Sequence, residues 1–391
     1  MSSQFLDNLS LSTLIAPVSA DEFRSRYWEQ MPMIVHRNDP NYYGDLFTLH
    51  DFDDAISRTP NYVKVADATS KKNESLGSTT APQLELILNS MRDGGTLILD
   101  GMHRYNHNLA TLCRLLGPEF GQRFQTNLYL TPPNGKGFTP HWDNHDVFIL
   151  QVHGSKEWKI EKARRAMPTR MQRIGAEGRE LRGDVYSLTL NQGDLIYIPR
   201  GFVHAAECGA VPSLHITLGV TALFWESLLY DVIRTGVEED EKLRATLPME
   251  FMKGDNKEIV PQIKSIFSGL ATDAFLNKVV DAYRARAIQT FPLEVSGLVE
   301  NYFAPRKVEL DDHFSHRRGM VFNTHAGADT VRLVFGGRNI DFLGIFREAL
   351  EFAMNKPAFK VRDLPGELED VEKVVFVERM MQEGILVRAP N

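Results

Sequence analysis

Residues 137–158 read GFTPHWDNHDVFILQVHGSKEW, and the rest of the chain is organised around them. Alternate residues of an extended strand share a face, so the His141 imidazole and the Asp143 carboxylate can reach one point together. Two ligands do not hold a metal. A third candidate lies in residues 193–204, GDLIYIPRGFVH, which end in His204. A lone His-x-Asp is a weak signal, most often a surface pair. The pattern Gly-x5-Pro-x-Gly-x2-His says more: its glycines and proline make a tight corner that ends one strand, and the histidine starts the next at a fixed angle. His141, Asp143 and His204 together make a 2-His-1-carboxylate set, which leaves coordination positions open and is the ligand pattern of non-heme iron(II) sites.

The flanking strands carry information in their parity. Along Gln125–Leu130, Gln125, Asn127 and Tyr129 share one face, with Thr126, Leu128 and Leu130 on the other. His215 and Thr217 alternate in the same way against Leu214, Ile216 and Leu218. Lys156 falls in step with Trp158 and Ile160, on the apolar face of its strand. Two readings of Lys156 stay open. It either snorkels to solvent from the adjacent turn, or sits at a pocket floor, where a buried ammonium demands an anion. Polar strand faces within a β-rich segment suit a barrel that encloses a pocket.

Composition narrows the class. A chain of 391 residues, 43% hydrophobic and 24% charged, reads as a globular protein of two or three domains. A net charge of −7 gives no bulk basic field of the kind nucleic acid attracts. Only Cys113 and Cys208 occur, which excludes a disulfide framework and a cysteine-rich zinc site. Cys208 reads as a small buried thiol that could lie near the metal. The N-terminus lacks the pattern of a signal peptide and no run is long enough for a membrane span, so the expected location is the cytoplasm.

Helical spacing with an N-cap at Ser19 or Asp21 precedes Pro32, then Met33–Val35 reads as a strand and 49–57 as a helix. Residues 64–80 read as an exposed loop or irregular hairpin, 82–91 as a helix and Thr96–Leu99 as a strand. His103, Tyr105 and His107 read as surface or capping residues at a helix start. From 125 to 221 short strands alternate with turns, as in an all-β barrel or sandwich. Residues 223–302 read as helices, with stripes suited to core or oligomer contact. After 306, strands at 320–322 and 331–335, helices at 342–354 and 371–383 and a final strand at 385–387 suggest a winged-helix-like domain, without the basic recognition helix that DNA binding needs.

The front segment Phe23–Tyr27-Trp28-Glu29-Gln30–Pro32, the His141-Trp-Asp143 strand with Val147-Phe-Ile-Leu-Gln151, and the Gly193-Asp194–Pro199–His204 motif resemble the JmjC/cupin-like 2-oxoglutarate oxygenases, in particular the ribosomal-oxygenase subgroup. The resemblance implies an α+β chain. It places a JmjC/cupin-like catalytic domain at 1–222, its double-stranded β-helix (jelly-roll) core at about 95–222, a helical dimerisation region at 223–305, and a winged-helix-like domain that does not bind DNA at 306–391. It implies His141, Asp143 and His204 as ligands of catalytic Fe(II), with 2-oxoglutarate and O2 as cosubstrates. Lys156 matches the residue for the distal 2-oxoglutarate carboxylate, Asn127 and Thr217 match cosubstrate-pocket residues, and Tyr129 matches a substrate neighbour. Gly219 departs from the pattern, since eukaryotic members carry there a serine that contacts the target side chain. The implied function is hydroxylation of an arginine or histidine side chain in a protein, foremost a ribosomal one, by a homodimer with no membrane or direct nucleic-acid contact. Hydroxylation of a peptide natural product or small molecule is the alternative, and a non-catalytic cupin-like binding module the third reading.

Overall fold

A computed structural model describes residues 5–58, 63–67, 72–77, 81–135, 137–172, 180–249, 251–252, 256–303 and 307–389. The chain forms two compact units, Met1–Ala222 and Leu223–Asn391. In the first unit the strands are β1 (Met33–Val35), β2 (Val63–Asp67), β3 (Lys72–Gly77), β4 (Thr96–Leu99), β5 (Arg123–Thr131), β6 (Val147–Glu161), β7 (Val185–Asn191), β8 (Leu195–Ile198), β9 (Val203–Glu207) and β10 (Ser213–Thr221). They pair antiparallel in the order β1-β8-β6-β10-β5-β4-β2-β3. β6 belongs to two sheets. Its first half pairs with β8 and β10, and from Ser155 onward it pairs with β7 and β9. The change falls at Gly154, whose φ is +65° and where a Cβ would lie 1.8 Å from the Pro212 carbonyl oxygen, so only glycine fits. This shared, bent strand folds the two sheets over one another as a double-stranded β-helix.

The apolar run Val147-Phe-Ile-Leu is buried on both faces, which is why it does not alternate with polar residues. Phe148 and Leu150 join Leu128, Leu214, Ile216 and Leu218 in a core shared with Leu14, Ile15, Phe23, Leu109, Leu112 and Leu116 of the covering helices. Val147 and Ile149 turn the other way and pack with Trp158, Ile160, Leu190, Ile196 and Ile198 between the sheets. The interior is therefore part packed core and part pocket. Ser19 is the N-cap expected there, its hydroxyl accepting from the Glu22 amide at 3.1 Å. Trp28 stacks on Tyr197 and meets Phe120 edge-on, clamping the front segment to the barrel.

The irregular hairpin expected within 64–80 is present, and one expectation needs correction in this unit. Residues 64–80 contain the hairpin β2–β3, which extends the large sheet through β4 and buries Val65 and Ala66 (68–71 and 78–80 lie outside the described residues). His103 is not a surface or capping group. Its half-buried Nδ1 accepts from the Thr126 amide at 3.2 Å, while Asn106 caps the helix His107–Phe120.

The second unit starts with helices Trp225–Glu239, Asn256–Leu270, Asp273–Gln289 and Leu298–Phe303. β11 (His313–His316) is followed by a meander of β12 (Phe322–Ala326), β13 (Thr330–Phe335) and β14 (Arg338–Leu343). Helices Arg347–Asn355 and Asp370–Gln382 come next, and β15 (Phe359–Lys360) and β16 (Leu386–Arg388) flank β11. The expected helix at 342–354 begins later, at Arg347. Phe342 belongs to β14, where it and Ile340 alternate inward after a Gly336-Gly337 turn at positive φ.

Candidate metal centre and its pocket

The bent barrel opens on a pocket of about 390 Å³, lined on three sides by the residues the parity grouped together. His141 and His204 face each other across an antiparallel bridge, with amide-to-carbonyl distances of 3.1 and 2.8 Å and ring centroids 4.5 Å apart. Asp143 completes the cluster. Its Oδ2 lies 3.7 Å from His204 Nε2, and one ligand atom from each of the three residues falls within 4.8 Å of the others. The Pro199–Phe202 turn sets this geometry. Gly201 takes a φ of +88° there and donates its amide to the Asp143 carbonyl at 2.9 Å, locking the two motifs together.

The donor set suits a divalent cation. His141 Nδ1 is 3.0 Å from the Thr139 carbonyl and His204 Nδ1 is 3.1 Å from the Phe202 carbonyl. Such anchors hold the proton on Nδ1 and leave Nε2 as the ligand atom. Burial, with His141 alongside, pushes the His204 imidazole down to about 4, so it is neutral and ready to donate. Burial pushes the Asp143 carboxyl up, but His141, His204 and His145 outweigh it and hold the group below its ordinary value.

Lys156 lies on the same inner surface and is 3% exposed, so it lines the pocket and does not snorkel to solvent. Its ammonium donates to Thr131 Oγ1 at 2.8 Å, and that hydroxyl is 2.9 Å from Thr96 Oγ1. Among the described residues it has no carboxylate partner. Burial pushes it down to about 8. Cys208 is the buried thiol expected, near Lys156 and 3.8 Å from the Thr131 carbonyl, and is not part of the ligand cluster.

Asn127, Tyr129 and Thr217 all line the pocket. Cross-strand pairs set them out as rungs: His215 opposite Tyr129, Thr217 opposite Asn127, and Gly219 opposite Gln125. Asn127 Oδ1 accepts from the Gly101 amide at 2.9 Å, which fixes how its amide is turned. Two further pocket residues were not singled out by the sequence reading as site residues. His215 is buried, stacked on Tyr129 at 5.0 Å and edge-on to Trp158. Burial and then Lys156 push it well below its ordinary value, so it is neutral. His145 follows the His-x-Asp motif by two positions. Its ring covers Gly219, where a Cβ would lie 3.0 Å from Cδ2 and 3.1 Å from Nε2. The parity shared by 215, 217 and 219 signalled the face, but not that a loop histidine covers its outer end.

Residues 103–228 match the JmjC domain family. The chain is 31% identical to ribosomal oxygenase 1 of Gallus gallus over 270 residues, 65% of this chain and 45% of that protein. It is 30% identical to the bifunctional lysine-specific demethylase and histidyl-hydroxylase NO66 of Culex quinquefasciatus over 315 residues, 70% of this chain and 46% of that one. It thus spans less than half the length of these two relatives. Among solved structures, the Escherichia coli ribosomal oxygenase YcfD in complex with cobalt and 2-oxoglutarate shares the fold, with a TM-score of 0.55, 14% identity, and coverage of 96% of this chain and 99% of that one. Residues 103–228 are therefore a JmjC domain with the cupin-like fold, and this is a JmjC-domain protein whose relatives in sequence and fold include ribosomal oxygenases.

Proposed function

We propose that the protein is an Fe(II)- and 2-oxoglutarate-dependent oxygenase that hydroxylates an amino-acid side chain, arginine or histidine, of a ribosomal protein. One observation carries the reading: the His141–Asp143–His204 cluster shares its pocket with a buried ammonium, Lys156, that has no carboxylate partner among the described residues. His141, Asp143 and His204 would hold the iron. Lys156, with Thr131, would take the distal carboxylate of 2-oxoglutarate and fix its orientation by a charge-assisted hydrogen bond. Asn127 and Thr217 flank the cosubstrate, and Tyr129 faces the target. Iron, 2-oxoglutarate and O2 together supply oxidative decarboxylation to succinate and CO2, with one oxygen atom inserted into a substrate C–H bond. Trp158, Ile149 and Val147 wall the pocket with apolar surface that keeps water out. The names of the sequence relatives support the ribosomal target. The same reading takes the 223–305 helices as a homodimer interface, 306–391 as a winged-helix-like module without a nucleic-acid role, and the cytoplasm as the location. Among the described residues, no helix is long and apolar enough to cross a membrane.

The test is incubation with Fe(II), ascorbate, 2-oxoglutarate and ribosomal proteins of the same host, followed by mass spectrometry. A gain of one oxygen on one protein, dependent on 2-oxoglutarate and lost in Asp143→Ala, is expected. Succinate without such a gain moves the substrate to a peptide or small molecule. Neither product leaves a binding module.

A further inference from the structure

We propose that His145, seated on Gly219, selects the target side chain, accepting a hydrogen bond at Nε2 from an N–H-bearing side chain (guanidinium or imidazole) presented to the metal centre. The inference rests on the function proposed above and adds a residue to it. The rungs give the pocket a direction. His215 meets Trp158 edge-on with Lys156 close by, and so marks the end that takes the cosubstrate. At about 3.3 Å per residue, Gly219 lies about 13 Å further along β10 than His215. A ligand entering from the end of β10 away from Lys156 therefore meets the Gly219 rung first. Two residues of that parity on β10, His215 and Thr217, put polar side chains into the pocket. At 219 the strand supplies none, and the His145 ring occupies the place instead.

The ring is held there by its backbone. On one side the Asp143 carbonyl accepts from the Gly201 amide at 2.9 Å. On the other, the Asp146 carbonyl accepts from the Val220 amide at 2.9 Å, pinning the loop to β10 one residue beyond Gly219. The Asp146 side chain is itself fully buried, taking hydrogen bonds from Tyr197 Oη at 2.9 Å and Arg200 Nη1 at 2.7 Å. A loop fixed at both ends within three residues is pre-organised for recognition rather than free to adapt. His145 Nδ1 lies 3.4 Å from Asn144 Oδ1, the contact a ring with its proton on Nδ1 would make. Nε2 is then an acceptor, and an acceptor pairs with N–H donors.

The experiment compares His145→Phe, His145→Gln and Gly219→Ser with the wild type. Phe keeps the ring and removes the acceptor, Gln restores an acceptor, and the serine Cβ and hydroxyl displace the imidazole. Two readouts are taken: oxygenation of host ribosomal proteins by mass spectrometry, and 2-oxoglutarate affinity with Mn(II) in place of iron, followed by tryptophan fluorescence. The expected result is a loss of about tenfold or more in target oxygenation for His145→Phe and Gly219→Ser, with partial recovery in His145→Gln. Cosubstrate affinity stays within about twofold in all three, since the change falls on target binding. The oxidised residue found in the wild type separates guanidinium from imidazole. Target oxygenation unchanged in His145→Phe, or lost together with cosubstrate affinity, overturns the proposal. A wild type that binds no 2-oxoglutarate overturns the proposed function and this inference with it. A wild type that oxygenates a side chain without N–H donors overturns this inference alone.

Discussion

Lys156 is the residue whose behaviour follows most directly from its surroundings. Burial lowers it from its usual 10.5 to about 8. Below pH 8 the free protein already carries the cation that a carboxylate needs. Above it, binding must also take up a proton, so affinity for 2-oxoglutarate falls about tenfold per pH unit until the pKa of the complex is reached. Stability of the ligand-free protein moves the other way. Between about 8 and 10.5 the unfolded chain binds more protons at this residue, so the Lys156 contribution to stability rises with pH through that window; below 8 its burial penalty is fully present. Lys156→Met should bind 2-oxoglutarate weakly and without this pH dependence. A pH-independent wild-type affinity, measured by titration with Mn(II) present, would remove Lys156 from the cosubstrate site. The place of Lys156 was legible because parity with Trp158 and Ile160 put it on a strand face, leaving only the direction of that face open. His145 was not legible in this way. Its role depends on an absent side chain at Gly219, a residue 74 positions away in the chain that no local pattern links to it.

Among the elements, the β8–β9 corner matters most, because it sets His204 against Asp143. A Cβ at Gly201 would lie 2.0 Å from the Arg165 carbonyl oxygen, and the φ of +88° is one that side-chain-bearing residues avoid. Gly201→Ala should cost at least about 1–3 kcal/mol from backbone strain alone. It should also weaken Co(II) binding, because the same residue holds the Asp143 carbonyl. Thermal unfolding and a Co(II) titration test both effects, and a variant with wild-type metal affinity would show that the corner is not what orders the ligands. This corner was readable from Pro199 and Gly201, whose conformational demands are local, while Gly193 serves the preceding β7–β8 turn. The last two residues of β14 fall inside the helix expected at 342–354, since Phe342, Ile345, Leu350 and Met354 also fit a helical stripe. The hairpin pairing with β13 decides it, and cross-strand pairing outweighs a short periodic signal.

For the whole molecule, the helix Trp225–Glu239 leaves Trp225 79%, Leu229 55% and Tyr230 65% exposed, a stripe suited to the proposed homodimer. Sedimentation should give a species of twice 44.3 kDa, and Leu229→Asp should shift it to the monomer. A wild-type monomer at micromolar concentration would end the dimer reading. Helical stripes were visible in the sequence, but what covers them is not a property of one chain. One contact within the first unit bears on a different matter, the order in which the protein is made. The Glu29 amide donates to the Tyr197 hydroxyl, a partner 168 positions later. At roughly 5–20 residues per second, synthesis of the intervening chain takes roughly 8–34 s. Through that interval Phe23 and Trp28 have no Tyr197 to pack against, and β1 has no β8 to pair with. Phe120 and Phe148 emerge earlier and can cover part of the front segment, but its packing stays incomplete until the strand before His204 emerges, an interval in which a chaperone on the nascent protein would shield it.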